Sequence, residues 1–336
     1  MVASLSPISI GEYTSAKNRG AFLATTYVFV AAGMLVPSLD NFITLQQIAI
    51  ICSVIAFIDL LIVYNSPESP SFLADKGRSR ECRAVFRWLR GNEDNEELEK
   101  MIVSTQEVVE RQSSNIEIGG FYKNFNVIVR KSYFLKPIIL MITIYIMNQR
   151  TNDGYSDEQV IQFESHRLKI ILAILRIIAN ILFIFIIKTV NRRTILFTAG
   201  CLNIVALLMK SLCVYARFDF DQPFVVTFFF YVHMFIKSIG IYPMTFTLAG
   251  EVFPLRYRSL ASGISTLFLY PNISQLLHDA VGGWGAYVLQ AGVVALCLGV
   301  AALLLPETKD RTLQDIEDEF RGRPFSPEEI HLSSRS

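Results

Sequence analysis

Apolar residues are grouped along the chain into eight long runs that alternate with shorter polar segments. The runs lie at 20–38, 45–64, 134–149, 167–188, 194–215, 223–248, 259–277 and 284–305. About 20 apolar residues in an α-helix span the roughly 30 Å hydrocarbon core of a bilayer. Inside that core, helices satisfy every backbone hydrogen bond internally. The pattern therefore predicts an all-α membrane protein with about eight transmembrane helices.

Composition agrees with a chain that lies in a lipid bilayer. Of the 336 residues, 52% are hydrophobic and only 18% are charged, and the mean hydropathy is +0.39. These values are too apolar for an ordinary soluble protein. A net charge of +1 excludes a strongly basic protein that binds nucleic acid. The five cysteines form no CxxC pair, so they predict neither a disulfide framework nor a zinc site.

Lysine and arginine are concentrated on one side of the predicted helices. If both termini share a side, most of these residues fall in five segments on that side, 1–19, 66–133, 188–193, 252–258 and 306–336. Positive residues are enriched in cytosolic loops. The sequence thus predicts a multi-pass membrane protein with both termini in the cytosol and a long cytosolic insert.

Short charged motifs flank the predicted spans. The segments 67–73 (PESPSFL) and 306–313 (PETKDRTL) follow the second and the last span. In two further segments an arginine follows an acid after seven residues, and a tight turn between spans holds a pair of arginines. These residues are Glu12 and Arg19, Glu251 and Arg258, and Arg192 with Arg193. Together the motifs resemble the sugar-porter family of the major facilitator superfamily, in particular insect trehalose and glucose transporters.

The resemblance implies a fold and a division of the chain. Members of the family have twelve helices, so this chain would be N-terminally truncated and hold family helices five to twelve, a partial major facilitator fold. The expected units are the end of the N-terminal helical half at 1–65, a cytosolic linker with short helices at 66–133, a C-terminal six-helix half at 134–305 and a cytosolic tail at 306–336. The family also implies a place in the plasma membrane.

The resemblance also implies a substrate site formed by several spans. Its residues would be Tyr27, Asn148, Gln149, Phe246 and Tyr270. Amide and phenol groups hydrogen-bond to sugar hydroxyls, and aromatic rings stack on a pyranose. Arg176 falls where the family has an asparagine, and a guanidinium within a span is costly unless it is paired.

A second implied feature is a set of gating ion pairs at the cytosolic ends of the helices. The candidates are Glu12, Arg19, Arg192, Arg193, Glu251 and Arg258, with Arg19 and Glu251 expected to form one pair between the halves. Such pairs would close the inside while the outside is open. The alternative is that these arginines only anchor the topology.

The function implied by the resemblance is facilitated passage, by uniport and alternating access, of a small neutral sugar such as trehalose or glucose. The sequence has no motif of a nucleotide-binding, zinc-protease or nucleophilic enzyme. We therefore predict no catalytic residue, cofactor or metal. In the resemblance, Tyr27 falls where the family has a glutamine and Arg176 where it has an asparagine. These changes leave a second reading open, in which the chain is a non-transporting, truncated or degenerate remnant that acts as a membrane scaffold or sensor.

Overall fold

A computed structural model describes residues 2–36, 43–91, 94–103, 132–148, 166–216, 223–254, 257–268, 281 and 283–322. Its helices are α1 (Val2–Tyr13), α2 (Ala16–Leu35), α3 (Leu45–Asn65), α4 (Pro70–Asp75), α5 (Ser79–Arg90), α6 (Ser132–Asn148), α7 (His166–Thr189), α8 (Arg192–Tyr215), α9 (Pro223–Ile239), α10 (Ile241–Glu251), α11 (Arg258–Thr266), α12 (Gly283–Leu304) and α13 (Leu313–Arg321). Residues 95–103 are also helical, and the described ranges contain no β-strand.

The predicted all-α membrane fold is confirmed, because each apolar run is helical over most of its described residues. By length and hydropathy, four stretches within the described ranges can cross a membrane. They are Leu45–Ala74, Ile170–Thr189, Arg192–Tyr215 and Trp284–Leu304. The other spans are shorter, interrupted or only partly described.

The sixth predicted run, 223–248, differs from the expectation of one continuous helix. The structure divides it into α9 and α10 at Gly240, whose φ of −142° and ψ of −75° interrupt the helix. A Cβ atom on Gly240 would lie 2.3 Å from the Cβ of Ala199. The glycine therefore permits both the break and the close approach of α8.

Two of the sequence motifs begin short helices. In the PESPSFL segment, the hydroxyl of Ser69 accepts a hydrogen bond from the backbone N–H of Phe72, and Pro70 occupies the first turn of α4. In the PETKDRTL segment, Thr312 and Asp315 form a capping box at the start of α13. Such caps satisfy backbone donors that a helix leaves unpaired.

The bundle is built around α6, whose apolar residues contact α10, α11, α12 and α13. Phe134, Met141 and Ile144 of α6 are fully buried in this core. The helix α2 packs along α7 and α10, and α1 packs on α10 and α11. These contacts join the helices before the 66–133 insert to the helices after it.

The helix α3 behaves differently, because none of its residues is buried. Its surface is almost entirely apolar, as the sequence of Leu45–Asn65 shows. A helix that is apolar all round is stable in lipid or against other helices, but not in water.

The insert forms a small core of its own. Leu73, Cys82, Phe86, Leu98 and Ile102 are buried against one another. Burial raises the pKa of the Cys82 thiol to about 11, and this thiol donates a hydrogen bond to the carbonyl oxygen of Pro70 at 3.2 Å. The short helices of the insert are thus a packed unit rather than independent surface helices.

Candidate functional site

Charged residues converge where α1, α2, α8, α10 and α11 meet. We call Glu12, Arg19, Arg192, Glu251 and Arg258 the charge cluster. A guanidinium nitrogen of Arg258 lies 3.4 Å from a carboxylate oxygen of Glu12. This ion pair joins α1, before the insert, to α11, after it. Arg258 also donates hydrogen bonds to the carbonyl oxygens of Gly250 and Phe253.

Arg19 links three parts of the chain although it is completely buried. Its Nε donates to the carbonyl oxygen of Gly11, and Nη1 donates to that of Arg311, each at 3.1 Å. Nη2 lies 3.8 Å from a carboxylate oxygen of Glu97 in the insert. Glu97 in turn forms an ion pair with Arg90 at 3.0 Å. The insert therefore takes part in the charge cluster.

Glu251 has a different partner from the one expected. It forms an ion pair with Arg192 at 3.7 Å and accepts a hydrogen bond from the Thr308 hydroxyl at 2.6 Å. No ion pair joins it to Arg19, whose carboxylate partner is Glu97. Arg19 and Glu251 therefore lie in the same cluster, but each forms its direct ion pair with another residue.

Glu307 is a residue that the sequence reasoning quoted in a motif but gave no role. Its carboxylate accepts hydrogen bonds from the backbone N–H groups of Arg192 and Arg193 at 3.1 and 3.3 Å. These groups begin α8, and an anion is stabilised at a helix N-terminus. The Arg193 side chain donates to the carbonyl oxygen of Ala302 and lies outside the charge cluster.

The sequence reasoning gave no role to two glycines that are adjacent in sequence to charged residues of the motifs, Gly11 before Glu12 and Gly20 after Arg19. A Cβ on Gly11 would lie 2.4 Å from the carbonyl oxygen of Gly250, so α1 and α10 touch through their backbones. A Cβ on Gly20 would lie 2.4 Å from the Arg192 guanidinium. The charge cluster closes only because these positions have no side chain.

Three aromatic rings meet farther along α2 and α10. The Tyr27 ring stacks on Tyr242 with centroids 5.6 Å apart and planes 9° apart, and it meets the edge of Phe246 at 5.3 Å. The structure therefore brings together Tyr27 and Phe246 and adds Tyr242. Asn148 is buried at the end of α6, and its Oδ1 has no hydrogen-bond partner. Gln149 and Tyr270 lie outside the described residues.

Cations lie near these rings. The Lys237 side chain is 1% exposed, and its ammonium lies 5.0 Å from the centroid of the Tyr242 ring. Nη1 and Nη2 of Arg176 lie 3.7 and 3.4 Å from the sulfur atoms of Met34 and Met234. The interior of the bundle thus combines aromatic rings with positive charge.

Comparison with known proteins finds relatives that match almost the whole chain. A model of the family described as "Sugar (and other) transporter" matches residues 1–320. The facilitated trehalose transporter Tret1 of Apis mellifera ligustica is 23% identical, with 96% of this chain and 66% of that protein covered. Tret1 of Drosophila yakuba is also 23% identical, over 96% of this chain and 39% of that protein. The chain therefore spans less than two thirds of the length of these curated relatives.

Solved structures support the same fold. The xylose symporter XylE bound to 6-bromo-6-deoxy-D-glucose matches with a TM-score of 0.74 and 17% identity, over 95% of this chain and 70% of that one. The inward-open conformation of XylE from E. coli matches with a TM-score of 0.56 and 18% identity, over 94% and 69%. The resemblance inferred from the motifs is confirmed, and a family of transporters agrees with the prediction that the chain is not an enzyme.

Proposed function

Because the chain belongs to the sugar (and other) transporter family, we propose that it provides facilitated, ion-independent passage for a small sugar across a membrane. Trehalose and glucose are the first candidates, since relatives are facilitated trehalose transporters. The observation that carries the proposal is the 3.4 Å ion pair between Glu12 and Arg258. This ion pair joins the helices on either side of the insert and would close one end of the bundle.

Passage would use alternating access. The charge cluster would close one end of the bundle, and separation of α1 from α10 and α11 would open it. Arg19 would help to hold this end closed, because it donates a hydrogen bond to the carbonyl oxygen of Arg311. The aromatic residues Tyr27 and Phe246, together with Asn148, Gln149 and Tyr270, would line the site that is exposed on each side in turn.

The arrangement of the chain in the membrane is part of the proposal. The closed end would face the cytosol with both termini, and the membrane would be the plasma membrane. The units would be 1–65, the linker 66–133, the six-helix half 134–305 and the tail 306–336. A cysteine introduced by Arg80→Cys should react with a membrane-impermeant maleimide only after the cells are opened. Reaction in intact cells would reverse this orientation.

Transport is tested by uptake of radiolabelled trehalose and glucose into proteoliposomes that hold the purified chain. We expect saturable uptake without an ion gradient and loss of most of it in Glu12→Gln, because Arg258 then loses its carboxylate partner. The matched control is Glu96→Gln, which removes an exposed acid of the insert. If neither sugar enters faster than into empty liposomes, the proposed function is wrong.

A further inference from the structure

Four helices meet around one group of interior side chains. Arg176 of α7 contacts Met34 of α2 and Met234 of α9 through its two terminal nitrogens. One turn beyond Met234, Lys237 lies over the ring of Tyr242 in α10. Tyr242 in turn stacks on Tyr27, which lies on α2 as Met34 does. We call these six residues, Tyr27, Met34, Arg176, Met234, Lys237 and Tyr242, the interior ring.

The guanidinium of Arg176 is poorly satisfied in the interior ring. Its contacts are two thioether sulfurs, which are weak acceptors, and its Nε is buried without a hydrogen-bond partner. No carboxylate among the described residues forms an ion pair with it. A charge held in this way costs free energy unless a partner is supplied.

Neutral polar groups beside the interior ring also lack partners. Asn180, one turn after Arg176, donates to the Arg176 carbonyl oxygen, but its own Oδ1 is buried and unpaired. The hydroxyl of Ser238, next to Lys237, is likewise buried without a partner. Both side chains are only 1% exposed. Buried polar atoms in native proteins are nearly always hydrogen-bonded, so these atoms indicate groups that a ligand would satisfy.

We propose that the interior ring binds a hydroxylated ring that bears a carboxylate, a sugar acid, in preference to a neutral sugar. This inference rests on the proposed transport of a sugar and specifies its chemical class. The carboxylate would pair with Arg176, whose planar fork matches two carboxylate oxygens, and with the Lys237 ammonium. The sugar ring would lie beside the stacked rings of Tyr27 and Tyr242, and its hydroxyls would reach the unpaired Oδ1 of Asn180.

The electrostatic reason is a difference between two ligands of the same shape. A neutral sugar would leave the charge of Arg176 without a carboxylate when it excludes water from the site. The carboxylate of a sugar acid would pair with the guanidinium. Because the ligand also excludes water, the attraction between carboxylate and guanidinium becomes stronger. The aromatic surface contributes equally to both ligands, and the carboxylate alone decides the preference.

The test compares D-glucuronate with D-glucose, which differ by a carboxylate in place of a hydroxymethyl group, and uses acetate as a bare carboxylate. Binding to the purified full chain in nanodiscs is measured by titration calorimetry. We expect D-glucuronate to bind at least about tenfold more tightly than either D-glucose or acetate. The variant Arg176→Asn should lose this preference, as should Lys237→Met.

The matched control is Lys188→Gln, which removes an exposed cation near the end of the same helix as Arg176. It should keep the D-glucuronate preference, and melting curves show whether each variant is folded. Equal binding of D-glucose and D-glucuronate would overturn the inference but leave the proposed sugar transport in place. Acetate binding as tight as D-glucuronate would reduce the ring to a plain anion site and also overturn the inference. Absence of binding by both sugars, together with absence of uptake, would overturn both proposals.

Discussion

The charge cluster and the interior ring both hold cations between packed helices, but they surround them in different ways. In the charge cluster, Arg19, Arg192 and Arg258 are fully buried, and each has a carboxylate oxygen within 4 Å, at 3.8, 3.7 and 3.4 Å. In the interior ring, Arg176 faces two sulfur atoms and Lys237 faces an aromatic ring. Paired charges stabilise one closed arrangement, whereas the Arg176 guanidinium, which forms no ion pair with a carboxylate of the described residues, favours a site whose partner arrives from outside.

The largest expected effect comes from breaking a pair in the charge cluster. Arg192→Met leaves the Glu251 carboxylate, which is 1% exposed, without a cation in ion-pair distance. Loss of one partner of a buried pair costs about 3–5 kcal/mol. We expect a loss of that size in the free energy of unfolding, measured by denaturation in mixed detergent micelles. The neighbouring variant Arg193→Met removes an exposed guanidinium and is the control, and an equal loss in both variants would contradict the assigned pairing.

A smaller effect is expected where the helix backbones touch. In Gly11→Ala the new Cβ would lie 2.4 Å from the carbonyl oxygen of Gly250, so α1 must move away from α10. Overpacking of this kind costs about 1–3 kcal/mol, measured in the same unfolding assay. Gly263→Ala in α11 meets nothing within 4 Å and should be neutral or stabilising. If the two variants behave alike, backbone contact does not hold this end closed.

The ion pair between Glu12 and Arg258 can be separated from simple anchoring by a double-mutant cycle. Glu12→Gln, Arg258→Gln and the double variant should show a coupling free energy of about 1–2 kcal/mol in the unfolding assay, because the pair is largely buried. The exposed pair of Arg78 and Glu81 serves for comparison and should give less than about 1 kcal/mol. Strictly additive effects at Glu12 and Arg258 would favour the alternative that these residues only set the topology.

The smallest expected effect on stability lies in the interior ring. Arg176→Met removes a charge that has no carboxylate partner and replaces it with an apolar chain of similar length, so the free energy of unfolding should stay the same or increase. A loss as large as that of Arg192→Met would show that Arg176 is a structural residue. The comparison between the two regions would then fail.

Much of the fold could be predicted because hydropathy reports directly on lipid exposure. The break at Gly240 could not be predicted, since glycine alone does not end a helix, and the close approach of Ala199 depends on how α8 packs. The partner of Glu251 could not be predicted either. Arg192 lies in another helix, and only the packing of α8 against α10 decides between it and Arg19.

The residues of the candidate site also divide into those that the sequence could predict and those that depend on packing between helices. Family resemblance predicted Tyr27 and Phe246 as site residues, because the spacing from a motif fixes a position along the same helix. It did not identify Tyr242, since the stacking of Tyr242 on Tyr27 depends on how α10 faces α2. The need of Arg176 for a partner was visible in the sequence as a cation within an apolar run, but its methionine neighbours come from two distant helices.

The interruption at Gly240 also determines how the side chains on either side of it are oriented. On one unbroken α-helix, positions 237 and 242 would be rotated by about 140° around the axis, and their side chains would leave on different sides. With the axis interrupted between them, the Lys237 ammonium lies over the Tyr242 ring. Lys237 can therefore lie on the same side of the bundle as Tyr27 and Tyr242 only while α9 and α10 keep their relative orientation. Any rotation of α10 against α9 would move the Lys237 charge relative to the aromatic rings.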